Sequence, residues 1–180
     1  SSGQMKGKIF FIVIIALLIS LVLSSAVLGN EEKTYIVGID GDYYPFSFID
    51  KDGNPAGFDV ESIQWIANEM GFKVQVVPMA WDGIIPSLLA KKIDLIYSGM
   101  TITEERGKEV DFAGPYYVSG AQLFTAPGSS IKSIEDINND VTVGVTISTV
   151  YEEKARQYTN QVKTYDSDIT ALRDLAAGRT

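Results

Sequence analysis

Between Tyr35 and Tyr97 the chain alternates two hydrophobic periods, and no other feature limits its fold so sharply. Residues 35–40 (YIVGID) form a short apolar run of the kind buried on both faces of a sheet. Asp59 then stands as a cap before Ile63, Ile66, Ala67 and Met70, which recur at helical spacing, and Gly71 ends the segment. Residues 73–77 alternate as a strand does. Residues 82–92 predict a helix with Ile85, Leu88 and Leu89 inward, and 94–97 a further strand. Between the first strand and the first helix, 46–49 and 55–58 flank a turn, Asp50-Lys51-Asp52-Gly53-Asn54. Strand, helix, strand, helix, strand predicts an open α/β sheet, because parallel neighbours need a crossover and a helix is the usual one.

A second series follows. Residues 116–126 predict a long strand leaving the first unit, and Pro127-Gly128-Ser129-Ser130 reads as a linker. Ser133 to Asp136 resembles a capping box opening a short helix. A strand over 141–145, a helix over 149–158, a strand over 162–165 and a helix over 167–177 complete the chain. Two strands under two helices make a marginal core. The expectation is therefore a first lobe over 31–126, a partial second lobe over 127–180, and a natural protein that continues past Thr180.

Residues 1–30 read as a leader. Met5-Lys6-Gly7-Lys8 is short and basic, residues 9–23 are apolar except Ser20, and 24–30 turn small and polar. Ser24 and Ala26 suit a cleavage site, with Val27 and Gly29 as a second choice. The rival is an uncleaved anchor, since Ile9 to Leu28 is 20 residues, enough to span a bilayer. Either way residues 31–180 are expected outside the cytoplasm, in the periplasm or on the outer face of the membrane.

The chain has no Cys and no His. Disulfides, thiol nucleophiles, Ser-His-Asp triads and His/Cys zinc sites are excluded together. A net charge of −8 repels phosphate backbones, so nucleic acid is not an expected partner. Asp50-x-Asp52-x-Asn54 with Glu61 imitates a calcium loop, but its sixth place holds Pro55, whose fixed φ replaces the glycine turn such a loop needs. Neither a metal nor a cofactor is expected.

Ser98-Gly99-Met100-Thr101-Ile102-Thr103-Glu104-Glu105-Arg106 carries the chemistry. It leaves the carboxyl end of a predicted strand, where open α/β sheets bind ligands. Gly99 permits close approach to the backbone, Thr101 offers a hydroxyl and an N–H, and Arg106 a planar fork suited to a carboxylate. On this segment alone Arg106 serves equally well as a surface partner of Glu109 or Asp111.

Five strings occur in order: GID…YYPFSF (38–48), GFDVE (57–61), WDGIIPSL (81–88), SGMTITEER (98–106) and VDFAGPYY (110–117). Together they resemble the polar amino-acid family of periplasmic solute-binding proteins of ABC transporters, relatives of the glutamine- and histidine-binding proteins. The resemblance covers about residues 34–178 and weakens after Pro127. It implies a two-lobed periplasmic-binding-protein-like (type II) fold, a monomer that closes on a free L-amino acid and delivers it to a membrane permease. It implies that Arg106, with Thr101, holds the α-carboxylate, and that the carbonyl of Ser98 or Gly99 takes the α-ammonium, with Met100 in the same segment. Tyr43 and Trp81 match aromatic positions around the side chain, and Asp40 an acidic position at the pocket floor, leaning towards a polar or basic ligand. Thr146-Ile147-Ser148-Thr149 matches a loop usually written with Gly-Thr-Thr, so the backbone of this loop from Thr146 on, and Thr149, would cover the carboxylate. Ser148 departs from that glycine, and relatives place an ammonium-binding Asp beyond Thr180. Tyr116 and Tyr117 read as structural. An extracytoplasmic sensor domain and a cyclohexadienyl dehydratase-like enzyme are the rival readings on the same fold.

Overall fold

The computed structural model describes residues 6–8, 14–15 and 32–180. The leader expected over 1–30, with its cleavage positions, lies almost wholly outside them. Thr34–Thr180 forms one compact unit.

Strand β1 (Thr34–Asp40) is followed by β2 (Asp42–Tyr43), β3 (Ser47–Ile49), β4 (Pro55–Ala56) and helix α1 (Phe58–Met70). Strand β5 (Lys73–Met79) leads through a 3₁₀ turn, Trp81–Gly83, into α2 (Ile84–Leu89), then β6 (Leu95–Ile96) and the short α3 (Glu104–Gly107). In the sheet β1 lies between β5 and β6, parallel to both. That central place explains its unbroken apolar run. Val37 and Ile39 are fully buried and pack on Val60 and Ile63 of α1 to make the core. A Cβ at Gly38 would lie 2.5 Å from Ile93 Cδ1, so a larger residue there would displace that side chain. The antiparallel ladder β2-β3-β4 closes the turn at Asp50, whose Oδ1 accepts the N–H groups of Asp52 and Asn54, both at 2.9 Å.

Further on, a 3₁₀ turn Ile134–Asp136 precedes β7 (Val143–Thr146), α4 (Val150–Arg156), β8 (Val162–Tyr165) and α5 (Asp168–Ala176). The Asp136 carboxylate accepts the Ser133 N–H at 3.0 Å, as a capping box requires. Strands β7 and β8 pair in parallel, with Val143 opposite Val162. Thr149 and Ser167 cap α4 and α5 through their hydroxyls.

Three local expectations fail. Asp59 is not the cap of α1: Gly57 holds that place, and Asp59 is buried inside the helix with no exposure. The expected helix over 82–92 is cut to a 3₁₀ turn and six α-helical residues. The change from three to 3.6 residues per turn rotates its face, so Ile84 is buried and Leu89 is about half exposed. Residues 116–126 form no strand, for no described segment offers them a ladder partner. Tyr116 instead stacks on Tyr97, their ring centroids 4.4 Å apart.

Candidate functional site

The ends of parallel strands and the starts of the elements after them line one cleft. Asp40 closes β1, Ser98 and Gly99 follow β6, and Thr146 closes β7. Thr149 to Tyr151 begin α4 and Asp168 begins α5. Asp42, Tyr43, Trp81, Thr101 and Arg106 complete the lining. Nine of the ten residues singled out from sequence are thus brought together. Met100 is not among them: it lies in an adjoining hollow with Ile84, Ile85, Pro86 and Leu89.

Arg106 is held by backbone oxygens. Thr103 caps α3 by accepting the Arg106 N–H at 3.1 Å. The guanidinium donates through Nη1 to the Thr101 carbonyl at 2.8 Å and through Nη2 to the Ser148 carbonyl at 3.0 Å. Trp81 Nε1 donates to the same Ser148 oxygen at 3.1 Å. The Arg106 Cζ stands 5.8 Å from the centre of the Trp81 ring, within cation–π range. Neither Glu109 nor Asp111 is its partner. Two of five N–H donors are spent, which leaves donors for an anion in the cleft. Burial lowers the Arg106 pKa.

Asp40, Asp42 and Asp168 supply the acidic groups of the cleft. Asp40 is 9% exposed. Its N–H donates to Ser98 Oγ at 2.8 Å, and Ser98 Oγ lies 3.0 Å from Ser47 Oγ, tying β1 to the segment after β6 and to β3. Its Oδ1 accepts the Asp42 N–H at 3.0 Å. Burial raises the Asp40 pKa to about 6, against that hydrogen bond, with the charges of Asp42 and Asp168 adding to the rise. Asp168 accepts a hydrogen bond from the Thr146 hydroxyl. Tyr43 stacks on Phe46 at 5.4 Å, and its pKa is raised by burial and then by Tyr151 and Asp168.

Asp42, Val150, Tyr151 and Asp168 escaped the sequence reading. Asp168 follows a Ser that caps a helix and so read as a helix-start residue. Asp42 repeats the acid of Asp40 two places on, which was the available signal. The second-lobe loop is as informative. Ser148 adopts φ +60°, the left-handed region, where the resemblance expected glycine. The Thr149 hydroxyl donates to the Thr146 carbonyl at 2.7 Å while capping α4.

The model of the bacterial extracellular solute-binding proteins, family 3, matches residues 35–176. The chain belongs to that family. It is 41% identical over 154 residues to the L-cystine-binding protein TcyJ of Escherichia coli K12, a match spanning 83% of this chain and 58% of that protein. It is 35% identical over 149 residues to the arginine-binding extracellular protein ArtP of Bacillus subtilis, with 82% and 58% covered. Among solved structures, the ancestral amino acid-binding protein AncCDT-1, a precursor of cyclohexadienyl dehydratase, superposes with a TM-score of 0.76 at 41% identity, covering 82% of this chain and 67% of that one. Arginine-bound ArgBP of T. maritima gives 0.74 at 40%, with 82% and 70% covered. The α/β arrangement is that of the type II periplasmic amino-acid-binding proteins. The chain spans 58% of the length of the two named relatives from E. coli and B. subtilis.

Proposed function

We propose that this family member is the extracytoplasmic solute-binding component of an ABC transporter, capturing a free polar L-amino acid and presenting it to a membrane permease. The observation that carries the reading is Arg106: a half-buried guanidinium fixed by two carbonyls, with donors to spare, in a cleft that also holds Asp40. In this reading Arg106 takes the α-carboxylate, Thr101, Thr146 and Thr149 surround it, and Trp81 and Tyr43 flank the side chain. The segments 31–126 and 127–180 act as lobes, and the Ser148 loop, bonded to both Arg106 and Trp81, is where they close on the ligand. The periplasm or the outer face of the membrane is the place of action, as the family description and the leader-like residues 1–30 support. Binding without turnover fits relatives named as binding proteins.

The test is thermal unfolding of the full-length protein against a panel of L-amino acids. A ligand at 100 times its Kd stabilises by about 2.7 kcal/mol. A shift with one or a few amino acids, lost in Arg106→Ala, supports the reading; no shift with any overturns it. The likeness to AncCDT-1 makes an enzyme the second reading. Product formed from an arogenate- or prephenate-like substrate would favour it over capture.

A further inference from the structure

We propose that Asp59 and Tyr116 are positioning residues for amino-acid capture: they fix the Ser98–Gly99 peptide so that the Ser98 carbonyl is presented to the ligand. This rests on the amino-acid reading above and gives a binding role to two residues that are not part of the cleft lining.

Three consecutive residues leading into the cleft are each anchored, and two of the anchors run to one face of α1. The Tyr97 hydroxyl lies 2.7 Å from Ser62 Oγ. Ser98 Oγ is tied to the Asp40 N–H and to Ser47 Oγ. The Gly99 N–H donates to the Tyr116 hydroxyl at 2.6 Å, and that hydroxyl donates to Asp59 Oδ1 at 2.8 Å. Asp59 and Ser62 stand at i and i+3 of α1, neighbours on its surface. The rings of Tyr97 and Tyr116 stack with 10° between their planes, so the two anchors brace one another.

The direction of each bond follows from the groups involved. A backbone N–H only donates, so the phenol oxygen accepts from Gly99 and its one proton goes to Asp59. In a trans peptide the C=O points away from the N–H with which it shares a plane. With the Gly99 N–H turned to Tyr116, the Ser98 carbonyl is turned to the opposite side. Ser98 lines the cleft, and no described residue donates to its carbonyl. An acceptor is thus left for a ligand donor, and an ammonium is the donor every free amino acid brings. Gly99 alone would not hold this plane. It sits at φ +60°, in a region that glycine enters and leaves at little cost.

For stability alone Asp59 is an unfavourable choice. Its side chain has no exposure, Oδ1 has the Tyr116 bond, and Oδ2 has no partner among the described residues. A buried carboxylate so poorly satisfied costs more than an apolar group of its size. What it contributes is an acceptor without a proton of its own, which draws the phenol proton away from Gly99. Without that acceptor the phenol is free to turn its proton towards the Gly99 N–H, and the hold on the peptide is lost.

The experiment titrates the standard L-amino acids and L-cystine into the full-length protein by calorimetry at pH 7.5, above the Asp59 pKa of about 6. Calorimetry reads affinity apart from the fraction of folded protein. Tyr116→Phe keeps the ring and removes the hydroxyl, and is expected to weaken binding about tenfold. Asp59→Leu removes the acceptor and is expected to do the same. Asp59→Asn restores an oxygen and is expected to stay within about threefold of the wild type. The Gly99 amide proton resonance is expected to follow: shifted upfield in the first two variants and close to the wild type in the third. Ile137→Val, at a buried residue outside both α1 and the cleft lining, lowers Tm and is expected to leave affinity within about twofold. Unchanged affinity in Tyr116→Phe overturns the positioning role, and so does a loss in Ile137→Val as large as that in Tyr116→Phe. If Tyr116→Phe does not fold, Leu and Asn at Asp59 decide, and equal affinity in those two overturns the proposal. A wild type that binds none of the amino acids is a different result, and sinks the reading on which this one rests.

Discussion

The Tyr116 hydroxyl bridges Asp59 and the cleft floor: it donates to Asp59 Oδ1 at 2.8 Å and accepts the Gly99 N–H at 2.6 Å. Asp59 is fully buried, and its second oxygen, Oδ2, has no partner. Burial raises its pKa to about 6 in spite of the Tyr116 bond. The Tyr116 pKa is pushed far up, by burial first and by the Asp59 charge second. The proton therefore stays on the phenol, pointing at the carboxylate, and the phenol oxygen is left to accept from Gly99. Gly99 in turn sits at φ +60°, under the Tyr117 hydroxyl, where a Cβ would meet that oxygen at 2.1 Å.

Tyr116→Phe is expected to destabilise the protein by about 2–3 kcal/mol. The ring stack on Tyr97 survives the change, but the Gly99 N–H and the buried Asp59 carboxylate both lose their partner. Asp59→Asn is expected to cost less, because its amide still offers an oxygen to Tyr116 and no buried charge remains. Urea midpoints at constant slope measure both. An Asn variant less stable than the Phe variant would contradict this account.

Arg106→Lys is expected to lose at least about tenfold in amino-acid affinity with little change in Tm. A lysine keeps the charge, but a single ammonium does not reach the Thr101 and Ser148 carbonyls as a fork while also presenting paired donors to a carboxylate. Calorimetry on the variant decides it, and full affinity would show that charge without geometry suffices.

Ser148→Gly is expected to stabilise by up to about 1 kcal/mol. The serine pays for a positive φ, and the contacts of its loop are made by its backbone: the carbonyl to Arg106 and Trp81, and the N–H to Glu152 Oε1 at 3.1 Å. A loss of stability, read from the denaturation midpoint, would show that the serine hydroxyl matters more than the strain.

How far the sequence reached follows from the range of the interactions. Strands such as 35–40 and 162–165 are written in local periodicity and emerge with little change, as Thr34–Asp40 and Val162–Tyr165. Arg106, Trp81 and Asp40 stood out because their surroundings repeat a family pattern. Asp59 and Asp168 did not, for each looked like an ordinary helix-start acid. Their partners, Tyr116 and Thr146, lie 57 and 22 residues away and carry no local signature. Residues 116–126 misled for the same reason. β-Propensity is local, whereas a strand also needs a neighbour, and the structure gives these residues none among those described.

Asp40 and Asp59 also set a pH dependence whose direction is fixed. Both have folded pKa values of about 6 against an ordinary value of 3.8, and burial is the first cause for each. The folded protein therefore binds more protons than the unfolded chain between those limits. The stability each group contributes is full below about pH 4 and is lost as pH rises through 6, on the order of 3 kcal/mol apiece. Asparagine carries no such burden and keeps the Oδ1 that accepts the Asp42 N–H. Asp40→Asn is thus expected to match the ligand-free wild type near pH 4 and to exceed it near pH 7. Urea unfolding of the two proteins at pH 4.5 and 7 measures the difference. A stability difference that does not change with pH would mean that Asp40 is ionised throughout.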